Sequence, residues 1–134
     1  MPQAPLHGLR VIETATGVSG PYAGRLLASL GACVVKVEPE GGDPARTQPI
    51  DDVPLLSGEL SPLFIHLNAG KLNVDPNEID PSWAHVVLAG DVLAALEGTQ
   101  WDPERLRSHD TRLVTTTADR KSTRLNSSHL VISY

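Results

Sequence analysis

LHGLRVIETATGVSGPYAGRLLASLGACVVKVEPEGGDPAR, residues 6–46, runs through strand, glycine turn, helix, strand and polar turn as one unit, and its reading decides the fold. Leu9 to Thr14 carries Val11 and Ile12 at its centre and gives way to small residues, Ala15 through Gly20, as a buried strand entering a tight turn does. Ser19 or Gly20 suits the N-cap of the helix that follows, with Pro21 at its first position, where a fixed φ helps and a missing donor costs nothing. Tyr22, Leu26, Leu27 and Leu30 recur at helical spacing as the expected buried face, and Gly31 stands where a left-handed C-terminal cap is needed. Cys33, Val34, Val35 and Val37, interrupted only by Lys36, read as a parallel strand covered on both faces. The unit is a βαβ opening.

Working outward, residues 39–60 hold four prolines and five acids and are expected to form a long loop, in which Asp43 caps a short helical turn that includes Arg46. Ser61 and Pro62 start a short helix with Leu63, Phe64 and Leu67 on its apolar side, ending near Asn68 to Gly70. A short strand at Asn73–Val74, a buried strand at Val86–Leu88, helices at Asp91–Leu96 and Pro103–Ser108, and a last strand at Leu113–Thr117 complete the alternation. The fold class expected is α/β: a partial, open, mostly parallel Rossmann-like sheet with flanking helices. Ligands of such sheets bind beyond the carboxyl ends of the strands, so the turn from Thr16 to Gly20 is the first place to look for a site. Its glycines and the helix N-terminus suit a phosphate, and equally suit a tight turn with no ligand.

The ordered series Leu-x-Gly, Gly-Pro, Leu-Gly-Ala, Val-Lys-Val-Glu and Gly-Asp-Pro-x-Arg, followed by SPLFIHLNAGK, resembles the N-terminal region of the family III CoA transferases and their α-methylacyl-CoA racemase relatives. The resemblance covers roughly Pro5 to Lys71 and returns at DPERLRSHDTRLV, Asp102 to Val114. It implies an enzyme that moves CoA between an acyl-CoA thioester and a carboxylic acid, with CoA or acyl-CoA as substrate and no covalently bound cofactor. It also implies an interlocked homodimer and a catalytic aspartate beyond the end of this chain, so that no residue here is assigned as catalytic. Val18 and Ser19 correspond to positions of the CoA pocket. The chain departs from the family after AHVVLAG, where Ala89, Gly90 and Asp91 replace an expected Glu-Asn-Phe segment and Ala95 stands near an expected basic residue. A divergent, non-catalytic partner domain of the same fold is therefore the alternative. A dinucleotide-binding domain, for which Glu38 at the end of the second strand would be the ribose-binding acid, is a further one, although Gly17, Gly20 and Gly24 do not form that fingerprint.

The C-terminal stretch has a different origin. DRKSTRLNSSH, residues 119–129, is the translation of a DNA string that resembles a common short-read sequencing adapter, and ISY, residues 132–134, fits the adapter's next codons. The expected division is thus 1–118, a truncated N-terminal part of a CoA-transferase domain, and 119–134, a non-native tail. Setting aside the tail's three basic residues and one acid takes Lys+Arg from 11 to 8, Asp+Glu from 16 to 15, and the formal charge from -5 to -7. So acidic a chain offers no stripe of cations for nucleic acid. With no membrane-length apolar run and no signal peptide, a cytoplasmic protein is expected. Arg46 and Lys71 are the basic residues considered for a CoA phosphate, each weighed against an ordinary ion pair. His66 and His85 lack spaced partners for a metal. Cys33 is read as a small core residue, and Trp83 and Trp101 as packing anchors.

Overall fold

Alternate residues of a strand face opposite sides of its sheet, and this period of two organises the molecule. A computed structural model of the chain describes residues 2–90, 99–118 and 128–133. Strand β1 (Arg10–Glu13) pairs in parallel with β2 (Cys33–Lys36) on one side and β4 (Val86–Ala89) on the other. β3 (Leu72–Asn73) adds to β2, β5 (Arg112–Ala118) adds to β4, and β6 (Ser128–Ser133) closes the row antiparallel to β5, giving the order β3-β2-β1-β4-β5-β6. The five parallel strands bear out the α/β reading. β6 is an addition to it: the strand at Arg112–Ala118 is not the last.

Helix α1 (Ser19–Ser29) connects β1 to β2 across one face, where Val11, Val34 and Leu88 pack with Ala23, Leu27 and Ala28. The other face holds Ile12, Val35, Val87, Ala89 and Leu113 against Trp101 and Leu106. Leu106 comes from α3 (Pro103–Ser108), the helix expected at those residues, and both tryptophans pack as anchors, Trp83 under the Arg10 guanidinium. Helix α2 (Pro62–Leu67) is started by Ser61, whose hydroxyl accepts the Leu63 N–H, and is extended by no more than six residues. The acid-proline pairs that follow make two 3-10 turns, capped by the side chains of Asp75 and Asp80. The helix expected at Asp91–Leu96, and the position of Ala95, lie outside the described residues. No described helix is long and apolar enough to cross a membrane.

Three local expectations are corrected. Helix α1 starts at Ser19 with Val18 as its N-cap and no side-chain cap, so Pro21 is the third helical residue. Its buried stripe is Gly20, Pro21 and Gly24 flanked by Ala23 and Leu27, whereas Tyr22, Leu26 and Leu30 stand outward. Helical spacing alone predicts that the large apolar residues face the sheet. Here the sheet surface beneath the first turns of α1 carries long charged side chains, which only small residues can lie over. Cys33, the first residue of β2, is exposed and is not a core residue. Gly31 does adopt the left-handed conformation, at φ 101°, and ends α1 as expected.

Candidate functional site at the carboxyl ends of the strands

β1 and β4 are adjacent, yet the chain leaves β1 toward β2 and β3 before returning to β4. That reversal is the switch point of an open parallel sheet, and the turn after β1 sits at it. Gly17 takes φ 83° in this turn, a conformation that strains any residue with a Cβ. Val18 and Ser19, the residues singled out for a CoA pocket, are both exposed at the start of α1, Val18 at 52%. In the first helical turn Pro21 has no N–H and the Tyr22 N–H closes on the Val18 carbonyl, so the uncapped Ser19 and Gly20 amides are the donors left to a ligand.

Beneath the turn lies a cluster of four charges. Glu13 and Lys36 are register partners at the ends of β1 and β2, on the face that α1 covers. The Lys36 ammonium lies 3.0 Å from Glu13 Oε2 and 3.0 Å from Asp43 Oδ2, and donates to the Ala15 carbonyl at 3.1 Å. The Lys71 ammonium lies 2.7 Å from Glu13 Oε1 and donates to Glu13 Oε2, to the Pro21 carbonyl at 2.7 Å and to Asn68 Oδ1 at 2.9 Å. Asp43 Oδ1 accepts the Ala45 and Gly17 N–H groups. All four side chains are at most 2% exposed, and the two ammoniums match the two carboxylates. Burial is the larger influence on Lys71 and lowers its pKa, against the pull of Glu13. Glu13 Oε1 and Asp43 Oδ2 meet their cations at ion-pair distance without hydrogen-bond geometry, so charge balance more than bonding compensates them.

Gly24 makes this arrangement possible. A Cβ at residue 24 would stand 1.9 Å from Glu13 Oε1. The glycine is needed for close approach, not for a special turn.

A second, more open pair flanks the cluster. Glu38 accepts two bonds from the Arg46 guanidinium, at 2.6 and 2.7 Å, and others from the Asn73 amide and the Asp43 N–H, while Arg46 lies over the Phe64 ring at 4.4 Å. Arg46 chiefly, with Asn73 and the Asp43 N–H assisting, lowers the Glu38 pKa from 4.5 to about 2. A carboxylate whose pKa falls on folding adds stability above its unfolded value and loses it as pH drops through the folded one. Glu38→Gln is therefore expected to cost about 1–3 kcal/mol at pH 7 in urea unfolding, with the gap from the parent chain closing between pH 4.5 and about 2. A gap constant over that range contradicts this account of the pair.

These contacts decide several sequence readings. Lys71 and Arg46 are both engaged in ion pairs, the ordinary role weighed against a CoA phosphate for each. Glu38 is likewise committed to Arg46 and Asn73, which removes the feature that favoured a dinucleotide ribose. His85 is structural: its Nδ1 accepts the Arg10 N–H at 3.0 Å. Among the described residues no group of His, Cys, Asp and Glu is arranged to hold a metal. The ion cluster itself was missed. Its signal was Lys36 inside an apolar run, matched two residues from the core by Glu13 on the neighbouring strand.

A parallel sheet with a glycine turn at its switch point defines an α/β ligand-binding class, and comparison with known proteins narrows it. The profile of CoA-transferase family III matches residues 6–77, and the chain belongs to that family. Succinate–glutarate CoA-transferase of Agrobacterium fabrum is 48% identical over 73 residues, covering 52% of this chain and 18% of the relative. Succinyl-CoA:mesaconate CoA-transferase of Haloarcula marismortui is 32% identical over 123 residues, covering 81% and 30%. The crystal structure of a CAIB/BAIF family protein from Brucella suis superposes with a TM-score of 0.69 at 28% identity, over 85% of this chain and 33% of that one. The chain thus spans no more than about a third of each of these relatives.

Proposed function

We propose that this chain is the N-terminal, CoA-facing part of an enzyme that transfers CoA from an acyl-CoA thioester to a carboxylic acid. The observation that carries the reading is the uncapped start of α1 at the sheet's switch point, in a chain of this family. Val18 and Ser19 border the CoA there, and the backbone amides of the turn supply its hydrogen bonds. The catalytic aspartate lies in the part of the enzyme beyond this chain. Its carboxylate attacks the thioester carbonyl and releases CoA thiolate, leaving an acyl-aspartyl anhydride. The thiolate then attacks the aspartyl carbonyl, giving an enzyme thioester and the free donor acid. The acceptor carboxylate displaces CoA thiolate again to form a second anhydride, which the thiolate opens at the acceptor carbonyl. Dividing the transfer this way keeps the energy of the thioester in covalent form throughout.

In this reading the enzyme is a cytoplasmic homodimer, residues 1–118 are its native portion, and 119–134 are the adapter-derived tail. The replacement of the expected Glu-Asn-Phe segment by Ala89, Gly90 and Asp91 favours the second reading, a non-catalytic partner of the same fold. Sequencing the source gene past codon 118 separates the two. Departure from the DRKSTRL codons, followed by a long extension containing the aspartate in its family context, is the expected result. An extension without that aspartate overturns the catalytic reading in favour of the partner domain.

A further inference from the structure

Apart from the bond of Lys71 to Asn68 Oδ1, every bond by which the buried cluster reaches beyond its own charges ends on backbone, and three of them end on the ligand-side turn. Lys36 holds the Ala15 carbonyl, Asp43 holds the Gly17 amide and Lys71 holds the Pro21 carbonyl. These three anchors bracket Val18 and Ser19, which are exposed and have no side-chain cap of their own. The residues that supply them come from β2, the loop after it, and the segment after α2, up to 58 positions from Glu13 in sequence. Charge balance alone requires no such arrangement. Four charges can compensate one another without gripping the turn, yet each of the three residues spends a polar atom on it.

We propose that Lys71 is a positioning residue that sets the shape of the 15–21 turn. Its ammonium has three protons and four acceptor atoms around it: both oxygens of Glu13, the Pro21 carbonyl and Asn68 Oδ1. The bond to Pro21 fixes the first turn of α1 against β1, and Asn68, at the end of α2, aims the ammonium at it. The amides that face a ligand are thereby held in place before the ligand arrives, which removes an ordering cost from binding. Since only carbonyls and amides are held, the exposed side chains of Thr16, Val18 and Ser19 take no part in fixing the path of the turn. The functional meaning of this device rests on the CoA reading, but its physical test does not.

The test is amide hydrogen exchange on the 134-residue chain with no ligand added. In Lys71→Met, the amides of Tyr22, which closes the first turn of α1 on the Val18 carbonyl, and of Gly17, which donates to Asp43, are expected to lose about tenfold or more of their protection relative to those of Val87 and Leu113, which report the sheet. Lys71→Met also leaves Glu13 with one cation fewer, and the double variant Glu13→Gln/Lys71→Met removes that imbalance. The expected outcome is that the double variant regains thermal stability while the turn remains unprotected. Recovery of turn protection together with stability would show that Lys71 serves charge balance only, and equal loss across turn and sheet in Lys71→Met would show the same. If Lys71→Met does not fold, Asn68→Ala gives the same comparison by removing the acceptor that aims the ammonium, and unchanged relative protection in it overturns the proposal. CoA added afterwards tests the other reading separately: a protected turn that ignores CoA leaves the positioning role intact and counts against the ligand.

Discussion

Lys36→Met is expected to lower the unfolding free energy by about 3–5 kcal/mol, the range found when one member of a buried ion group is removed and the rest stay charged. Lys36 is 1% exposed and touches Glu13, Asp43 and the Ala15 carbonyl at 3.0–3.1 Å. Methionine replaces its stem well but leaves Asp43 Oδ2, which has no hydrogen bond, without its ammonium. Glu13 retains Lys71, so the loss falls mainly on Asp43 and on the turn it caps at Ala45. In a domain whose total stability is of order 5–15 kcal/mol, a loss of this size is visible as a displaced urea midpoint. A change under about 1 kcal/mol would mean that water reaches these charges, contrary to the burial described.

Gly24→Ala sets two effects of opposite sign against each other. Alanine in a helix interior is better than glycine by about 0.5–1 kcal/mol. The new methyl, however, would lie 1.9 Å from Glu13 Oε1, 3.0 Å from its Cδ and 3.2 Å from Lys71 Cε. Glu13 has no room to yield, because it is fully buried and gripped by two ammoniums. Either α1 lifts off β1 or the ion pairs stretch, and overpacking together with weakened charge-assisted bonds outweighs the propensity gain. The net expectation is a loss of about 2–4 kcal/mol in urea unfolding. A neutral or stabilising result would show that the helix does not approach the sheet so closely.

Both predictions concern the part of the molecule that was least legible in the chain. Strands β1, β2, β4 and β5 are legible as apolar runs to within one or two residues, because a strand buried on both faces announces itself by composition, whereas the exposed pair of β3 rests on position alone and β6 is not expected. The helix starts and stops are equally plain: Asp43 with Pro44 and Ser61 with Pro62 start helical turns, Gly31 stops α1, and each acts through local backbone chemistry in the role expected of it. The orientation of α1 was read wrongly because helical spacing identifies a face without saying what lies beneath it. Tyr22, Leu26 and Leu30 make the more apolar stripe, but Glu13 and Lys36 occupy the sheet under the other one. Lys71 posed the same difficulty. An isolated lysine after a short helix carries no mark of burial, and its partners Glu13 and Pro21 are 58 and 50 positions away. Residues that act through long-range pairing become visible only when register is known.

The ligand side of the account depends on the turn that this cluster supports. In the proposed reading, with Lys36, Lys71 and Arg46 engaged in ion pairs, CoA would be bound by the backbone amides at the start of α1 and by contacts of Val18 and Ser19. Titrating CoA into the chain while following each backbone amide by nuclear magnetic resonance tests this most directly. Shifts that saturate and concentrate on Gly17, Val18, Ser19 and Gly20, and that weaken when Val18 is replaced by Asp, are the predicted result. Saturable shifts centred elsewhere, with residues 16–20 unmoved, would contradict it.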